Sequence, residues 1–488
     1  MMQTHISPHP KWVLAHKQPG SEIRFLKGHY YLYEISSKWS AEKKRAVKIT
    51  GKLLGKITQE DGFVESEKAR LRKQQLKVER VEVKEYGIST VIETQFHDTI
   101  SELKKQFPDL WQTILCLAYG RLVYQSPLKN MSFRYAHSYL SELYPKLDLS
   151  PKTLSSSLKK IGCEREKIVN FCKSFNLSGD NILFDGTDIL SHSDKLEFSK
   201  YSRVKSGCYD DMINLMCVFS VGQQMPLYYR LLPGNIKDVS AFKTSLLESG
   251  IKEATVVMDK GFTSQGNVEV LEKAELKFII PLHRNSSQIN YDKIRDGNKR
   301  GFDGYFKYEG RYIWYYAHSV DDSKKLTVFF DEELRTREER DYLSRIDNKV
   351  ADYTIDNFHE KQYVLGTIAM IDNTGRSAEK IYSDYKTRGE VETMIDALKN
   401  VVEADRSYMQ NQQALEGWMF INFIALKWYY VILNLLKKHD INKQYATMDF
   451  LMMLGEIKKV KINSSWINAE ITRKTKEMLK LVGITHIT

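Results

Sequence analysis

Cysteine is scarce in this chain: five in 488 residues, at positions 116, 163, 172, 208 and 217, with no Cys-x2-Cys pair among them. The scatter speaks against a zinc site or a disulfide framework and for reduced, buried thiols. The N-terminus, Met-Met-Gln-Thr-His-Ile-Ser-Pro, has no basic stretch followed by an apolar one. No export is therefore expected, and the predicted location is the cytoplasm. Repeats and low-complexity tracts are missing too. Long apolar runs come down to one, Trp418–Leu436, which is near the length of a membrane span but carries Lys427 in its middle with Asn422 and Asn434 on either side. Each is costly in hydrocarbon, so the run is predicted to be a buried helix packing on a sheet, with no membrane partner.

Positive charge is abundant. Lys and Arg total 73 against 62 acids, giving net +11 and a pI near 9.0. The excess suggests a polyanionic partner. A length of 488 residues suggests about three domains.

The most informative segment runs from Tyr385 to Lys399 and carries Tyr385, Arg388, Glu392 and Lys399. At about 100° per residue their offsets fall at roughly 0°, 300°, 340° and 320°, so on one continuous helix all four project from a narrow stripe. A phenol, a guanidinium, a carboxylate and an ammonium suit a working surface better than a core, because each buried charge needs a partner. The carboxylate can hold a metal ion while the cations and the phenol hold phosphates. Hard cations usually take more than one carboxylate, and two acids upstream meet the need. Asp185 follows the apolar run Asn181-Ile-Leu-Phe, and Asp259 follows Ala254-Thr-Val-Val-Met. Both are predicted at strand ends, where ligand sites of open α/β sheets lie. Alone, either Asp reads as a turn or capping residue; the combination with Glu392 carries the argument.

With these residues in hand, the chain resembles the DDE transposases of bacterial insertion sequences, in the branch with a Tyr-x2-Arg-x3-Glu-x6-Lys signature (insertion-sequence family four and relatives). Tyr385, Arg388, Glu392 and Lys399 match that signature, Asp185-Gly186-Thr187 resembles the first-acid strand, and Met258-Asp259-Lys260-Gly261-Phe262 resembles the second, with Lys260 in place of the more usual Arg. Pro233-Gly-Asn235-Ile-Lys-Asp238 resembles a stretch found between the two acids. The similarity runs from about residue 180 to about 435. It implies an α/β fold with an RNase H-like catalytic core and a β-rich insertion before the third acid. Asp185, Asp259 and Glu392 are implied as catalytic residues holding two Mg²⁺ (or Mn²⁺) ions, with Tyr385, Arg388 and Lys399 gripping DNA phosphates. The implied activity is DNA strand cleavage and strand transfer at the inverted-repeat ends of an insertion sequence, by a homodimer acting on double-stranded end and target DNA. Two other readings remain open at this point: an RNase H-like nuclease or resolvase without strand transfer, and a domesticated DNA-binding protein.

The rest of the chain is divided accordingly. Residues 1–97 read as a small basic β-rich module, either for DNA contact or simply with a solvated charged face, with Glu65–Lys84 as an exposed helix or linker. Residues 98–178 read as helical, with Ser150-Pro151 as a helix start, and form either a DNA-binding bundle or a packing platform. The core spans 179–436, with strands and helices in the order β-β-β-α-β-α-β before the Glu-bearing helix. Within it, 284–362 is predicted to be an insertion of hairpins, where Trp314 either stacks on an extruded DNA base or packs between strands. Residues 437–488 read as a basic helical tail for dimerisation or DNA contact. The acids Asp188, Asp210, Asp211, Asp238, Asp384, Glu390 and Asp396 are assigned to surface or capping roles.

Overall fold

The computed structural model describes residues 9–40, 42–73, 80–204, 207–236 and 238–484. Part of the predicted Glu65–Lys84 helix or linker, residues 74–79, lies outside them; Glu67–Lys73 is helical. The chain forms two compact units, Met1–Glu82 with Lys461–Trp466, and Val83–Val460 with Ile467–Thr488.

The first unit is an antiparallel meander of β1 (Ser21–Leu26), β2 (His29–Ser40), β3 (Arg45–Thr58) and β4 (Gly62–Glu65) in that order. Its core is small, with Val13, Ile23, Leu32 and Ile57 at the centre.

The second unit is a mixed α/β structure built on a large sheet. Its strands are β5 (Asn181–Ser191), β6 (Tyr209–Ser220), β7 (Met225–Pro233), β8 (Thr255–Met258), β9 (Lys277–Pro281), β10 (Gly304–Tyr308), β11 (Arg311–Ser319), β12 (Lys325–Asp331) and β13 (Thr367–Asp372). They lie in the order β10-β11-β12-β13-β9-β8-β5-β6-β7, with short strands Lys200–Arg203 and Arg406–Ser407 added on β6 and β5. β5, β8 and β9 are parallel, whereas β6 and β7 join by antiparallel hairpin pairing. The parallel strands read as unbroken apolar runs because helices cover both faces. These include α1 (Asp238–Ser249) and α2 (Gln265–Lys273).

The stretch 284–362 forms hairpins, as expected, but does not stand apart from the core. Its three strands continue the main sheet through β12 and β13, and it also carries helix α3 (Glu332–Asp347). No residue of α3 is buried, and its apolar face is sparse, with Tyr342 packed on Tyr353 and Phe358. Its stability comes from the Asp331 cap, which accepts from Glu333 and Leu334 N–H, and from the i,i+4 pairs Arg335–Glu339 and Asp341–Arg345. The tail after residue 436 is also not wholly helical: Lys458–Ile462 and Ser465–Asn468 are strands between helices Thr447–Gly455 and Arg473–Leu481. Lys458, Lys459 and Lys461 therefore sit on a strand.

After β13 come α4 (Ala378–Lys386), α5 (Gly389–Asp396) and the long α6 (Gln412–Lys438). Among the described residues α6 is the one helix long and apolar enough to cross a membrane, and it is buried in this fold as the sequence predicts. Lys427 donates to Pro226 O at 3.1 Å and lies 4.0 Å from the Phe175 ring centre, while Asn422 accepts from Arg121 Nε at 2.9 Å. Helix Pro151–Cys163, capped by Ser150 as predicted, crosses α6 at backbone contact. A Cβ on Gly162 would meet Gln413 O at 1.8 Å, and one on Gly417 would meet Leu158 O at 2.1 Å, so both positions require glycine. The helices between 98 and 178 contribute Ile114, Leu117, Leu158 and Phe171 to the same core as the sheet. Their apolar faces serve as a packing platform.

Candidate active site

Backbone hydrogen bonding sets the first two acids side by side. β8 pairs with β5 in parallel register, Met258 opposite Phe184, so Asp259 and Asp185 are the next residues on adjacent strands. β8 stops at Met258, whereas β5 runs on to Ser191; Asp185 therefore lies within its strand and not at its end. Each carboxylate folds back onto the N–H that follows it: Asp185 accepts from Gly186 at 2.8 Å and Asp259 from Lys260 at 2.6 Å. Asp185 is 8% exposed.

The third acid is delivered by a chain of polar ties. After β13, Asn373 accepts from Phe278 N–H and donates to Leu276 O, clasping the start of β9. Arg376 then donates to Asn181 Oδ1 at 3.0 Å and Thr255 Oγ1 at 3.1 Å, at the first residues of β5 and β8, and to the buried Asp384 of α4. Helix α4, with Tyr385 near its end, is thereby fixed to both acid-bearing strands. Neither Asp384 nor Arg376 stands out in the sequence; Asp384, assigned there to a surface or capping role, is the buried anchor of this tie.

The signature does not lie on one continuous helix. α4 ends at Lys386, α5 begins at Gly389, and a π-helical turn covers Ala397–Val401. Thr387 donates its hydroxyl to Asp384 O and is followed by Gly389, one of the weakest helix formers, which accounts for the interruption. Arg388 sits at the joint. Its guanidinium reaches Asp259 at 3.2 Å and Glu392 at 2.7 Å. Burial disfavours its charge, but Asp259, Glu392, Tyr385 and Asp185, in that order, outweigh burial and push its pKa above the usual arginine value. Two of the acids thus pair with one cation, and Asp185 adds to the negative charge that it feels. Burial raises the Tyr385 phenol above the ordinary tyrosine value, with Arg388 pulling it back.

Lys399 turns elsewhere. The π turn places its ammonium 3.9 Å from Asp188, whose Oδ1 has no hydrogen-bond partner among the described residues. Lys399 also lines a cleft of about 700 Å³ with Arg121, Lys129, Arg406 and Tyr408. Nothing in the sequence singles out Arg406 or Tyr408; Arg406–Ser407 pairs with the far end of β5, and Tyr408, well exposed, stacks on His192 at 4.9 Å. Trp314 is not brought to the acids. It lies on β11, four strands from β8 and so about 19 Å away at 4.8 Å per strand. There it is half-buried, 5.0 Å from Tyr305 and 6.1 Å from Phe302, with Lys299 over its ring.

A family profile described as the Transposase DDE domain matches residues 178–428, over half the chain. Among solved structures, the chain is similar to a piggyBac transposase in a synaptic complex with hairpin DNA, at 12% identity and a TM-score of 0.40, over 70% of this chain and 69% of that one. No curated protein matches it.

Proposed function

Because the chain belongs to the Transposase DDE domain family, we propose that it binds the ends of its own insertion sequence and catalyses metal-dependent DNA cleavage followed by strand transfer. The observation that carries this reading is the placement of Asp185 and Asp259 side by side on paired strands, with Arg388 linking Asp259 to Glu392. The order β7-β6-β5-β8-β9, antiparallel in its first three strands and parallel in the rest, supports assigning an RNase H-like core.

The donors are all carboxylate oxygens, which suits a hard divalent cation such as Mg²⁺ or Mn²⁺. As the side chains stand, no three metal-ligating groups come together among the described residues, and a guanidinium bridges two of the acids. The cluster thus already attracts positive charge, and loading it requires Arg388 to leave. Asp185, Asp259 and Glu392 would then hold two ions, which when bound activate water or a sugar hydroxyl and neutralise the leaving oxygen. Arg388 is a rigid fork that matches phosphate as well as carboxylate, so a DNA phosphate is its natural acceptor. Tyr385 beside it orients the same phosphate, and Lys399 holds the backbone where the strand enters the cleft.

The test uses supercoiled plasmid carrying the element with its ends. Asp185→Asn, Asp259→Asn and Glu392→Gln remove charge without changing shape, and each is expected to abolish cleavage in Mg²⁺ while DNA binding stays near that of the parent. Cleavage retained by any of the three would falsify the assignment of that acid. Cleavage by the parent with no joined product would leave a nuclease.

A further inference from the structure

The first unit has an arm. β1 pairs with β2 only as far as Glu34, and β4 pairs with β3 only over Gly55–Thr58. Beyond those points Ser36–Ser40 and Arg45–Ile49 continue as a two-stranded ribbon, Ser36 opposite Ile49 and Ser40 opposite Arg45. Five residue pairs extend it by about 17 Å. Every described residue of Ser36–Trp39 and of Glu42–Ala46 is exposed. A bare two-stranded ribbon is marginal in water, so a surface that receives it would add to its stability.

Its chemistry indicates which surface. Between 35 and 52 the chain carries Lys38, Lys43, Lys44, Arg45, Lys48 and Lys52 against the single acid Glu42. Lys48 pairs with Glu22 of β1 at 2.8 Å. Trp39, close to the tip, is 66% exposed, and its cross-strand neighbour is Ala46, too small to cover an indole. A ribbon of this width fits a groove of duplex DNA, and exposed apolar side chains at such positions act as wedges between base steps.

We propose that this arm lies in a groove of duplex DNA, its lysines and Arg45 on the flanking phosphates and Trp39 wedged between base pairs so that the duplex kinks. The inference rests on DNA being the substrate, and goes beyond it in assigning a second contact, outside the acid cluster, that bends the DNA.

The experiment takes the full chain and a duplex several helical turns long, labelled at both ends. Affinity is measured against salt concentration, and bending by energy transfer between the labels. Lys43→Ala/Lys44→Ala/Arg45→Ala is expected to lower the log–log salt slope by about 2 to 3, at roughly 0.9 per lost phosphate contact. Trp39→Ala is expected to keep the slope and lose the change in energy transfer, whereas Trp39→Phe, still an apolar wedge, keeps most of it. All these positions are exposed, so melting temperatures matching the parent confirm that folding is intact. A parental salt slope in the triple variant, or parental bending by Trp39→Ala, overturns the proposal while leaving the acid cluster's role untouched. A parent protein that binds no duplex at all overturns both.

Discussion

Arg376 is the residue whose removal most directly tests how the third acid is positioned. Its guanidinium makes three bonds, to Asn181 Oδ1, Thr255 Oγ1 and the Asp384 carboxylate, and Asp384 is almost fully buried. The two neutral acceptors are worth about 1 kcal/mol each. Leaving Asp384 with the exposed Lys380, 2.7 Å away, as its one cationic partner among the described residues adds to this, and removal of one partner of a buried pair typically costs about 3–5 kcal/mol in all. Since Arg376 is itself 27% exposed, the low end, about 3 kcal/mol, applies to Arg376→Ala. The second unit holds about 400 residues, and at about 2.1 cal/mol/K per residue each kcal/mol lowers its melting temperature by about 1.2 °C. A calorimetric shift of about 4 °C is therefore expected. Cleavage should fall much further than stability, because a displacement of about 1 Å in a positioned group can cost roughly 100-fold in rate. Arg376→Ala/Asp384→Ala should be no less stable than Arg376→Ala, since no buried carboxylate is left behind. An Arg376→Ala protein with parental melting and parental cleavage would refute the argument that this tie positions α4.

Lys427 gives a prediction in pH. Burial lowers its pKa to about 8 from 10.5. Between those values the unfolded chain binds the proton and the folded one does not, so stability rises with pH across the window. The shift corresponds to roughly 3 kcal/mol of charge burial at neutral pH, partly offset by the bond to Pro226 O. Lys427→Met should accordingly melt above the parent at pH 7 and lose that advantage as pH rises toward 10.5, as followed by thermal melts across the series. At Trp314, half-buried and far from the acids, replacement by Ala should cost about 2 kcal/mol, below the range for fully buried sites. Cleavage should be unaffected if packing is its whole role; a stable variant that no longer perturbs a base analogue at the DNA end would instead mark a stacking contact.

Much of this architecture is legible in the sequence because strong local signals and tertiary placement agree. The apolar runs at 181–184 and 254–258 become neighbouring parallel strands, and α6 is a core helix in spite of Lys427. Where the reading departs, a physical reason is at hand. α3 carries only a thin apolar stripe, Leu334, Tyr342 and Ile346, interrupted at Glu338, so periodicity is weak; its Asp331 cap and Glu/Arg spacing are the stronger signals. The stripe from Tyr385 to Lys399 assumes unbroken 3.6-residue winding, which Thr387, Gly389 and a π turn interrupt, sending Lys399 to Asp188. Arg376 and Asp384 are ordinary charges in sequence and acquire their role only when β5 and β8 are brought together. The strand character of Lys458–Ile462 lies in the alternation Lys459-Val460-Lys461-Ile462, a period-2 signal only four residues long.

The way the sheet grows between the second and third acids has a consequence for how such a chain can change. Strands β10 to β12 add at one edge, each hydrogen-bonded to the last, and the chain re-enters beside β9 through β13. Glu392 is located by Asn373, Arg376 and α4, all of them downstream of that re-entry, and not by the length of chain upstream of it. Segments can thus be gained or lost at the outer edge, or replaced wholesale, with the carboxylates registering no difference. The length of chain between Asp259 and Glu392 is for that reason loosely coupled to the distance between them in space.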